Sequence, residues 1–267
     1  MPESRPNARH PGRLVGVGIG PGDPDLVTVK AQRAIRDSDR VVAPSTALDA
    51  VGRAEAIVRE AVPGTPVDRF CFDMSRNAEA TYLELATTTL VPWLQRGLQV
   101  AFVTIGDPNI YSTFSSVARA VRSIYPDAVI DTVPGIMAFQ ALAAATGTVL
   151  VDGTESLSLV TALNGVAQLR GALAEGGAVV VYKGGRYISE VRSCLESAGR
   201  LDGALCGELL GWPGEQVIAV SDLDGRPASY LSTVIVPPVQ KAQGVEPATG
   251  SEPAQGVEPA NGSEPAP

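Results

Sequence analysis

Histidine is almost absent from this sequence. Its single histidine, His10, lies in a segment rich in proline, arginine and asparagine near the start of the chain. Catalytic pairs in which an imidazole activates a serine or a cysteine need a histidine inside the folded enzyme. The sequence therefore excludes such pairs, and any chemistry must run without imidazole.

Cysteine is scarce as well, with 3 in 267 residues. The cysteines are far apart in the sequence, and none belongs to a CxxC or a mixed cysteine and histidine group. This spacing predicts neither a disulfide framework nor a zinc site. We expect free, buried thiols and no metal bound by the protein. The three positions are Cys71, Cys194 and Cys206.

Long hydrophobic runs and an excess of positive charge are also missing. No apolar stretch reaches the roughly 18 residues that a membrane helix needs, and residues 1–12 lack the hydrophobic core of a secretory signal. The net charge of -8 argues against a nucleic-acid surface. Part of that charge belongs to the tail. We expect a soluble, cytoplasmic protein with neither nucleic acid nor membrane as a partner.

The last residues form a near-exact repeat, AQGVEPATGSEP followed by AQGVEPANGSEP, which is rich in proline, glycine and glutamate. A segment of this composition buries too little apolar surface to offset the entropy lost on ordering. We predict that residues 239–267 are disordered, as is a leader of residues 1–12. A solubilising tail is favoured over a partner-binding segment.

Between these ends, short apolar runs alternate with longer helix-like stretches, which indicates an α/β protein. In the first half we predict strands at 14–19, 40–43, 99–104 and 128–133 and helices at 25–38, 78–95, 112–124 and 137–145. This half is predicted to form an open, mostly parallel sheet.

The second half has more closely spaced strands, predicted at 157–161, 178–182, 204–209, 216–220 and 229–236. Their spacing is typical of an α+β arrangement with antiparallel pairs. We place a domain boundary near Pro134, which gives domains of residues 13–134 and 135–238. The cleft between them is the natural ligand site.

The most informative segment is the glycine loop GVGIGPGDP of residues 16–24, which follows the first strand and opens a helix. Glycines at such a point let a ligand approach the backbone closely. A dinucleotide-binding GxGxxG motif would need a third glycine where Pro21 or Asp23 stands. The second strand also ends at Pro44 without an acid for a ribose, and no Walker motif is present. A glycine-rich turn without a ligand stays an alternative.

Three further loops follow directly after predicted strands. In the first, Asp107 either caps the next helix or binds a ligand, and Tyr111 to Thr113 fall in the first helical turn facing the cleft. The second, VPGIMA at 133–138, has the same design, although close packing explains it equally well. The third brings Lys183 and Arg186 to a turn, as a solvated loop or an anion site.

These four loops, GVGIGPGDPDLVTVKA, IGDPNIYSTF, VPGIMAF and VVYKGGR, occur in an order and at spacings that resemble the tetrapyrrole methylase superfamily. The resemblance covers about residues 13–236. Within the superfamily, the segments at 74–76, 111–113 and 229–233 resemble the precorrin-2 C20-methyltransferases. The implied fold is a two-domain α/β tetrapyrrole methylase fold, with a mostly parallel N-terminal sheet and a mixed C-terminal sheet.

The resemblance implies a homodimer that holds S-adenosylmethionine (SAM) in the cleft and a tetrapyrrole in an adjoining trough. The implied reaction is methylation of C20 of precorrin-2 to precorrin-3A in cobalamin biosynthesis. The implied cofactor residues are Gly20, Pro21, Ile105, Gly106, Asp107, Ile110, Met137, Ala138 and Lys183. The implied substrate residues are Tyr111, Ser112, Thr113, Arg76 and Arg186, and the cations Arg76, Lys183 and Arg186 are expected to bind the substrate's carboxylates.

One departure from the superfamily concerns the proton acceptor. Related uroporphyrinogen methylases have an aspartate proposed as a base where this chain has Pro44, so another group or solvent must accept the proton. Methyl transfer itself needs mainly alignment, and proximity supplies about 7–11 kcal/mol of the barrier. Metal-free precorrin-2 is weakly favoured over its cobalt form.

Two alternatives stay open. Diphthine synthases and ribosomal RNA ribose methylases share this architecture, although the acidic composition disfavours RNA and the Tyr-Ser-Thr segment disfavours both. A non-catalytic module that binds SAM without methyl transfer is the second.

Overall fold

The computed structural model describes residues 12–45, 49–71, 78–223, 228–229 and 231–239. Most of the predicted leader and tail, together with Arg76, lies outside the described residues. The strands are β1 (Arg13–Gly18), β2 (Arg40–Ser45), β3 (Asp68–Cys71), β4 (Gln99–Thr104), β5 (Val129–Val133), β6 (Leu157–Thr161), β7 (Ala178–Tyr182), β8 (Leu205–Glu208), β9 (Gln216–Ala219) and β10 (Thr233–Val236).

The helices are α1 (Val29–Arg36), α2 (Arg53–Ala61), α3 (Ala78–Leu85), α4 (Val91–Gln95), α5 (Thr113–Ile124), α6 (Ala138–Thr146), α7 (Ala167–Ala174) and α8 (Ile188–Ser197). A π-helical turn, Ala86–Leu90, joins α3 to α4. It precedes Pro92, which has no amide hydrogen to donate to the preceding turn. No helix in the described part of the chain is both long and apolar enough to cross a bilayer.

The first sheet has the strand order β3-β2-β4-β1-β5, and every pair in it is parallel. Helices α1 and α2 pack on one face through residues such as Ile35 and Ile57. Helices α3 to α5 pack on the other face, where Phe102 and Phe114 are buried. Coverage of both faces explains why the strands are almost continuously apolar. The predicted parallel sheet is confirmed.

The second sheet has the order β6-β7-β10-β8-β9, in which only β6 and β7 are parallel. Helices α7 and α8 cover one face. The other face packs against α6 and the loop after β8, where Leu142, Leu210 and Ile235 are buried together. This is the predicted mixed sheet, and α6 places it beside the carboxyl ends of the first sheet.

The predicted helix at 25–38 is wrong in detail, because the segment contains two helical elements that begin separately. Asp23 accepts a hydrogen bond from the Asp25 amide and begins a short 3-10 turn, Pro24–Leu26. Thr28 then accepts from the Ala31 amide at 3.1 Å and begins α1. Each cap stabilises its own helix start. The extended residue Val27 separates them.

Candidate active site

The loops after β1, β4 and β5 contact one another backbone to backbone at the carboxyl edge of the first sheet. The Gly106 amide donates to the Gly20 carbonyl at 2.8 Å, and both glycines have positive φ, 72° and 77°. A Cβ atom at Gly18 would lie 2.5 Å from the Gly106 oxygen, and one at Gly135 only 2.1 Å from it. Glycine is therefore required at these positions, and the three loops form one surface.

Asp107 ties two of these loops together. Its Oδ1 atom accepts a hydrogen bond from the Asn109 amide at 2.8 Å, and its Oδ2 atom accepts one from the Gly135 amide at 3.1 Å. The residue is only 9% exposed, so water competes weakly for these bonds. The carboxylate therefore connects the loop after β4 to the loop after β5.

The helix cap of α5 is Ser112 and not Asp107, so the capping alternative for Asp107 is wrong. The Ser112 hydroxyl accepts from the Phe114 amide at 3.1 Å and also contacts the Thr104 hydroxyl. Of the segment predicted to form the first helical turn, only Thr113 is helical. Tyr111 lies before the cap, where its φ of 49° is unfavourable for a non-glycine residue.

Tyr111 joins the two halves of the protein. Its hydroxyl donates to the Leu159 carbonyl of β6 at 2.9 Å, and its ring meets the Tyr182 ring edge-on at 6.0 Å between centroids. The Lys183 ammonium donates to the Tyr111 carbonyl at 3.3 Å. The strained loop is held by these three contacts with the second half.

Two adjoining cavities lie between the halves. The inner cavity has a volume of about 130 Å³ and is lined by Pro21, Ile110, Met137, Ala138, Trp212 and Ser232 among others. The outer cavity has a volume of about 440 Å³ and is lined by Pro44, Ser45, Gly52, Ser112, Thr113 and Ser229 among others. Five residues line both cavities and are here called the shared wall: Arg53, Ile105, Tyr111, Lys183 and Leu231.

The structure brings most of the predicted site residues to these cavities. The predicted cofactor residues line the inner cavity, with the exception of Gly20 and Asp107, which make hydrogen bonds within the loops that line it. Tyr111 lines both cavities, and Ser112 and Thr113 line the outer one. Arg186 is exposed in a short 3-10 turn, Gly185–Tyr187, and is not among the residues that line either cavity.

Several lining residues were not predicted from the sequence. Arg53 comes from the start of α2, Trp212 from a Gly-Trp-Pro-Gly turn after β8, and Ser232 from the segment before β10. The tryptophan in a glycine and proline turn is a signal that could have identified one of them. A Cβ atom on Gly22 would lie 2.5 Å from the Trp212 indole nitrogen, so this turn closes over the glycine loop.

Two polar groups that line the inner cavity are buried without a partner. The Ser232 hydroxyl and the Trp212 indole nitrogen have no hydrogen bond to any described residue. Leaving such a group unpaired costs about 1–3 kcal/mol, so buried polar groups nearly always have partners. The side chains that carry these two unpaired groups belong to the lining of the inner cavity.

Lys183 supplies the positive charge of the cleft from the second half. It has a positive φ of 57°, which a non-glycine residue adopts at some cost in strain. Burial disfavours its charged form and lowers the pKa of the ammonium. Beside it, burial raises the pKa of the Tyr182 hydroxyl, so that group stays neutral and accepts a hydrogen bond from the Phe139 amide.

Metal ligands are not grouped in the described part of the chain, where no three His, Cys, Asp or Glu side chains come together. Cys194 and Cys206 are buried and outside any disulfide, as predicted, whereas Cys71 is only half-buried.

Comparison with known proteins identifies the family of this chain. The chain matches the family described as Tetrapyrrole (Corrin/Porphyrin) Methylases over residues 13–224. This chain is a tetrapyrrole methylase family member. The predicted superfamily is thereby confirmed. A solved cobalt precorrin-4 methyltransferase, CbiF, superposes with a TM-score of 0.66 over 87% of this chain and 97% of its own, at 22% identity. That similarity confirms the predicted fold.

Curated relatives are similar over most of this chain. The cobalamin biosynthesis protein CobIJ of Mycobacterium tuberculosis is 34% identical over 240 residues, which cover 85% of this chain but only 46% of CobIJ. The present chain thus spans about half the length of that relative. A precorrin-2 C(20)-methyltransferase of Sinorhizobium is 30% identical over 237 residues, which cover 85% of this chain and 95% of the relative.

Proposed function

We propose that this tetrapyrrole methylase transfers a methyl group from SAM to C20 of precorrin-2, or of its cobalt form, and gives precorrin-3A in cobalamin biosynthesis. The observation that carries the proposal is the pair of adjoining cavities with a shared wall at the carboxyl edge of the parallel sheet. Ligands of open α/β sheets bind at that edge. Similarity to the Sinorhizobium enzyme along nearly its whole length supports the C20 position.

The lining of the inner cavity suits a nucleoside with polar ends. Ile105 and Met137 offer apolar walls, and the unpaired Ser232 hydroxyl and Trp212 indole nitrogen offer hydrogen bonds to acceptor atoms. The glycine loop contributes Pro21 to the lining of this cavity. When bound there, SAM supplies an electrophilic methyl group on a sulfonium.

The residues of the shared wall align the methyl donor with the carbon that accepts the methyl group. Ile105 and Leu231 present apolar surface to both cavities and exclude water from the line between donor and acceptor. Tyr111, held by its bond to Leu159, fixes the width of the passage. Methyl transfer is an in-line displacement, so alignment by these residues lowers the barrier without a protein nucleophile.

The outer cavity is the proposed site of the macrocycle. It is larger and is lined mainly by small or polar residues, including Ser112, Thr113 and Ser229. Pro44 also lines it, so the position that carries an aspartate in related uroporphyrinogen methylases faces the substrate here without a base. The proton lost from C20 must therefore pass to another group or to solvent.

The decisive experiment is incubation of the purified chain with methyl-labelled SAM and precorrin-2, with and without cobalt, followed by mass analysis and NMR of the pigment. We expect one labelled methyl group at C20. Label at another carbon would assign a different ring methylation. Binding of SAM without any methyl transfer would favour the non-catalytic module. Methyl transfer to a diphthine precursor would favour a diphthine synthase of the same architecture.

We also propose that the protein is a cytoplasmic homodimer, as the family resemblance implies. Sedimentation equilibrium should give twice the chain mass of 27.6 kDa. A mass equal to one chain at micromolar concentration would contradict this.

A further inference from the structure

Arg53 occupies a distinctive position at the junction of the two cavities. It is the first residue of α2, which follows the carboxyl end of β2, and its N-cap is Gly52, which contributes no side-chain hydrogen bond. As part of the shared wall, Arg53 lines both the inner and the outer cavity. Its side chain can therefore contact whatever bridges them.

The guanidinium of Arg53 is oriented by the second half of the protein. It lies 5.9 Å from the centroid of the Trp212 ring, which belongs to the turn after β8. A cation at this distance from an indole is attracted to the ring face. The contact holds the guanidinium beside the indole ring while leaving its N–H groups available for another partner.

Four other arginines of the first half are paired with carboxylates. The salt bridges among the described residues join Arg13 to Asp131, Arg40 to Asp68, and Glu55 to two further arginines. Within the same described residues, no salt bridge includes Arg53. A planar guanidinium held in a cleft without an acidic partner is suited to a bidentate carboxylate ligand.

Two molecules of the proposed reaction carry carboxylates, the methionine end of SAM and the acetate and propionate side chains of the tetrapyrrole. Several observations favour the tetrapyrrole. Arg53 is an exposed residue, and its neighbours Gly52 and Ala54 line the outer cavity alone. Lys183, the other cation of the shared wall, lies opposite on the second half. A macrocycle edge between these cations would meet both.

We propose that Arg53 binds a peripheral carboxylate of the tetrapyrrole and so orients the macrocycle against the inner cavity. This inference rests on the proposed function. It assigns to Arg53 the role that the sequence had suggested for Arg186, which lies outside both cavities.

The test compares Arg53→Gln and Arg53→Lys with the wild type and with Arg96→Gln, a control at an exposed arginine after α4. Three quantities are measured: the Kd of S-adenosylhomocysteine (SAH) by calorimetry, the Kd of uroporphyrin III by fluorescence titration, and the KM for precorrin-2. Uroporphyrin III is a stable macrocycle with peripheral carboxylates. Its binding does not depend on turnover, so failure of the inference is distinguishable from failure of the proposed function.

We expect Arg53→Gln to weaken uroporphyrin III binding and raise the KM roughly 10- to 100-fold, as for a lost charge-assisted hydrogen bond. The Kd of SAH should stay within about twofold, because the carboxylate that Arg53 is proposed to bind belongs to the macrocycle and not to SAH. Arg53→Lys should recover part of the loss, since lysine keeps the charge but not the bidentate fork. Arg96→Gln should change nothing.

Two results would overturn the inference. A weaker Kd for SAH with unchanged macrocycle binding would assign the carboxylate to the methyl donor. Unchanged values for all three quantities in folded Arg53→Gln would show that the arginine only packs on Trp212.

Discussion

Removal of the Asp107 carboxylate is the sharpest test of how the site is built. In Asp107→Ala, the amides of Asn109 and Gly135 lose their acceptors. Hydrogen bonds to a charged group contribute about 1.5–3 kcal/mol each. Water can reach the exposed Asn109 amide, so the two losses do not add fully. We expect a fall of about 2–4 kcal/mol in the free energy of unfolding.

The assay is urea unfolding followed by circular dichroism, with calorimetry against SAH on the same samples. Asp127→Ala is the matched control, because Asp127 is exposed in the turn before β5. A surface change of that kind usually alters stability by less than about 0.5 kcal/mol. Asp107→Asn keeps one acceptor oxygen and should fall between the wild type and alanine.

The affinity for SAH should fall together with the stability in Asp107→Ala. The bond from Asp107 to Gly135 joins two loops that line the inner cavity, and Asp107 itself does not line it. An unfolding curve that matches the wild type would refute this reasoning. Weakened SAH binding with full stability would refute it too, because the carboxylate would then contact the donor directly.

Three other perturbations test the packing and the charges. Gly135→Ala places a Cβ atom 2.1 Å from the Gly106 oxygen, so we expect a loss of about 3 kcal/mol or more in urea unfolding and loss of SAH binding by calorimetry. Glu55→Gln removes the buried carboxylate that pairs with Arg69. We expect the free energy of unfolding to fall by about 2–3 kcal/mol. This is less than the roughly 3–5 kcal/mol usual for breaking a buried ion pair, because the Arg69 side chain is 23% exposed. Hydrogen bonding to Arg69 lowers the pKa of Glu55 from 4.5. The difference in the free energy of unfolding between the wild type and Glu55→Gln should therefore shrink as the pH falls below 4.5. Lys183→Met removes an ammonium whose pKa burial lowers from 10.5. The wild type should therefore gain stability relative to the variant as the pH rises toward that value, and the absence of such a gain would contradict the cause given.

Strands with uninterrupted apolar runs could be predicted from the sequence alone. β4 and β7 have the predicted bounds, because their valine-containing apolar runs lie between polar or glycine-containing turns, and the more polar β6 (LSLVT) has its predicted bounds as well. Two of the elements that were not predicted, α2 and β3, are less apolar. α2 carries Glu55 on its buried face, which hides the helical pattern, and β3 reads Asp-Arg-Phe-Cys with every residue only half-buried. Pairing between Glu55 and Arg69 is a tertiary contact that no local pattern reveals.

The candidate site was predictable where it consists of loops that follow strands. Parallel strands bring their carboxyl ends to one edge, so Pro21, Gly106 and Met137 could be expected together. Arg53 and Trp212 could not, because their contact depends on how the halves meet. The choice of Ser112 over Asp107 as the cap of α5 could not be predicted either, since both residue types are good N-caps. The hydrogen bond from the Phe114 amide to Ser112 and the tertiary one from the Gly135 amide to Asp107 distinguish them.

The central claim is that the inner cavity between the halves holds the methyl donor. Calorimetric titration of the wild-type chain with SAH, repeated in the presence of excess SAM, tests it most directly. The account predicts saturable binding of one molecule per chain, abolished by SAM and accompanied by a change in tryptophan fluorescence that is lost in Trp212→Phe. Absence of saturable binding to the folded protein would contradict the account.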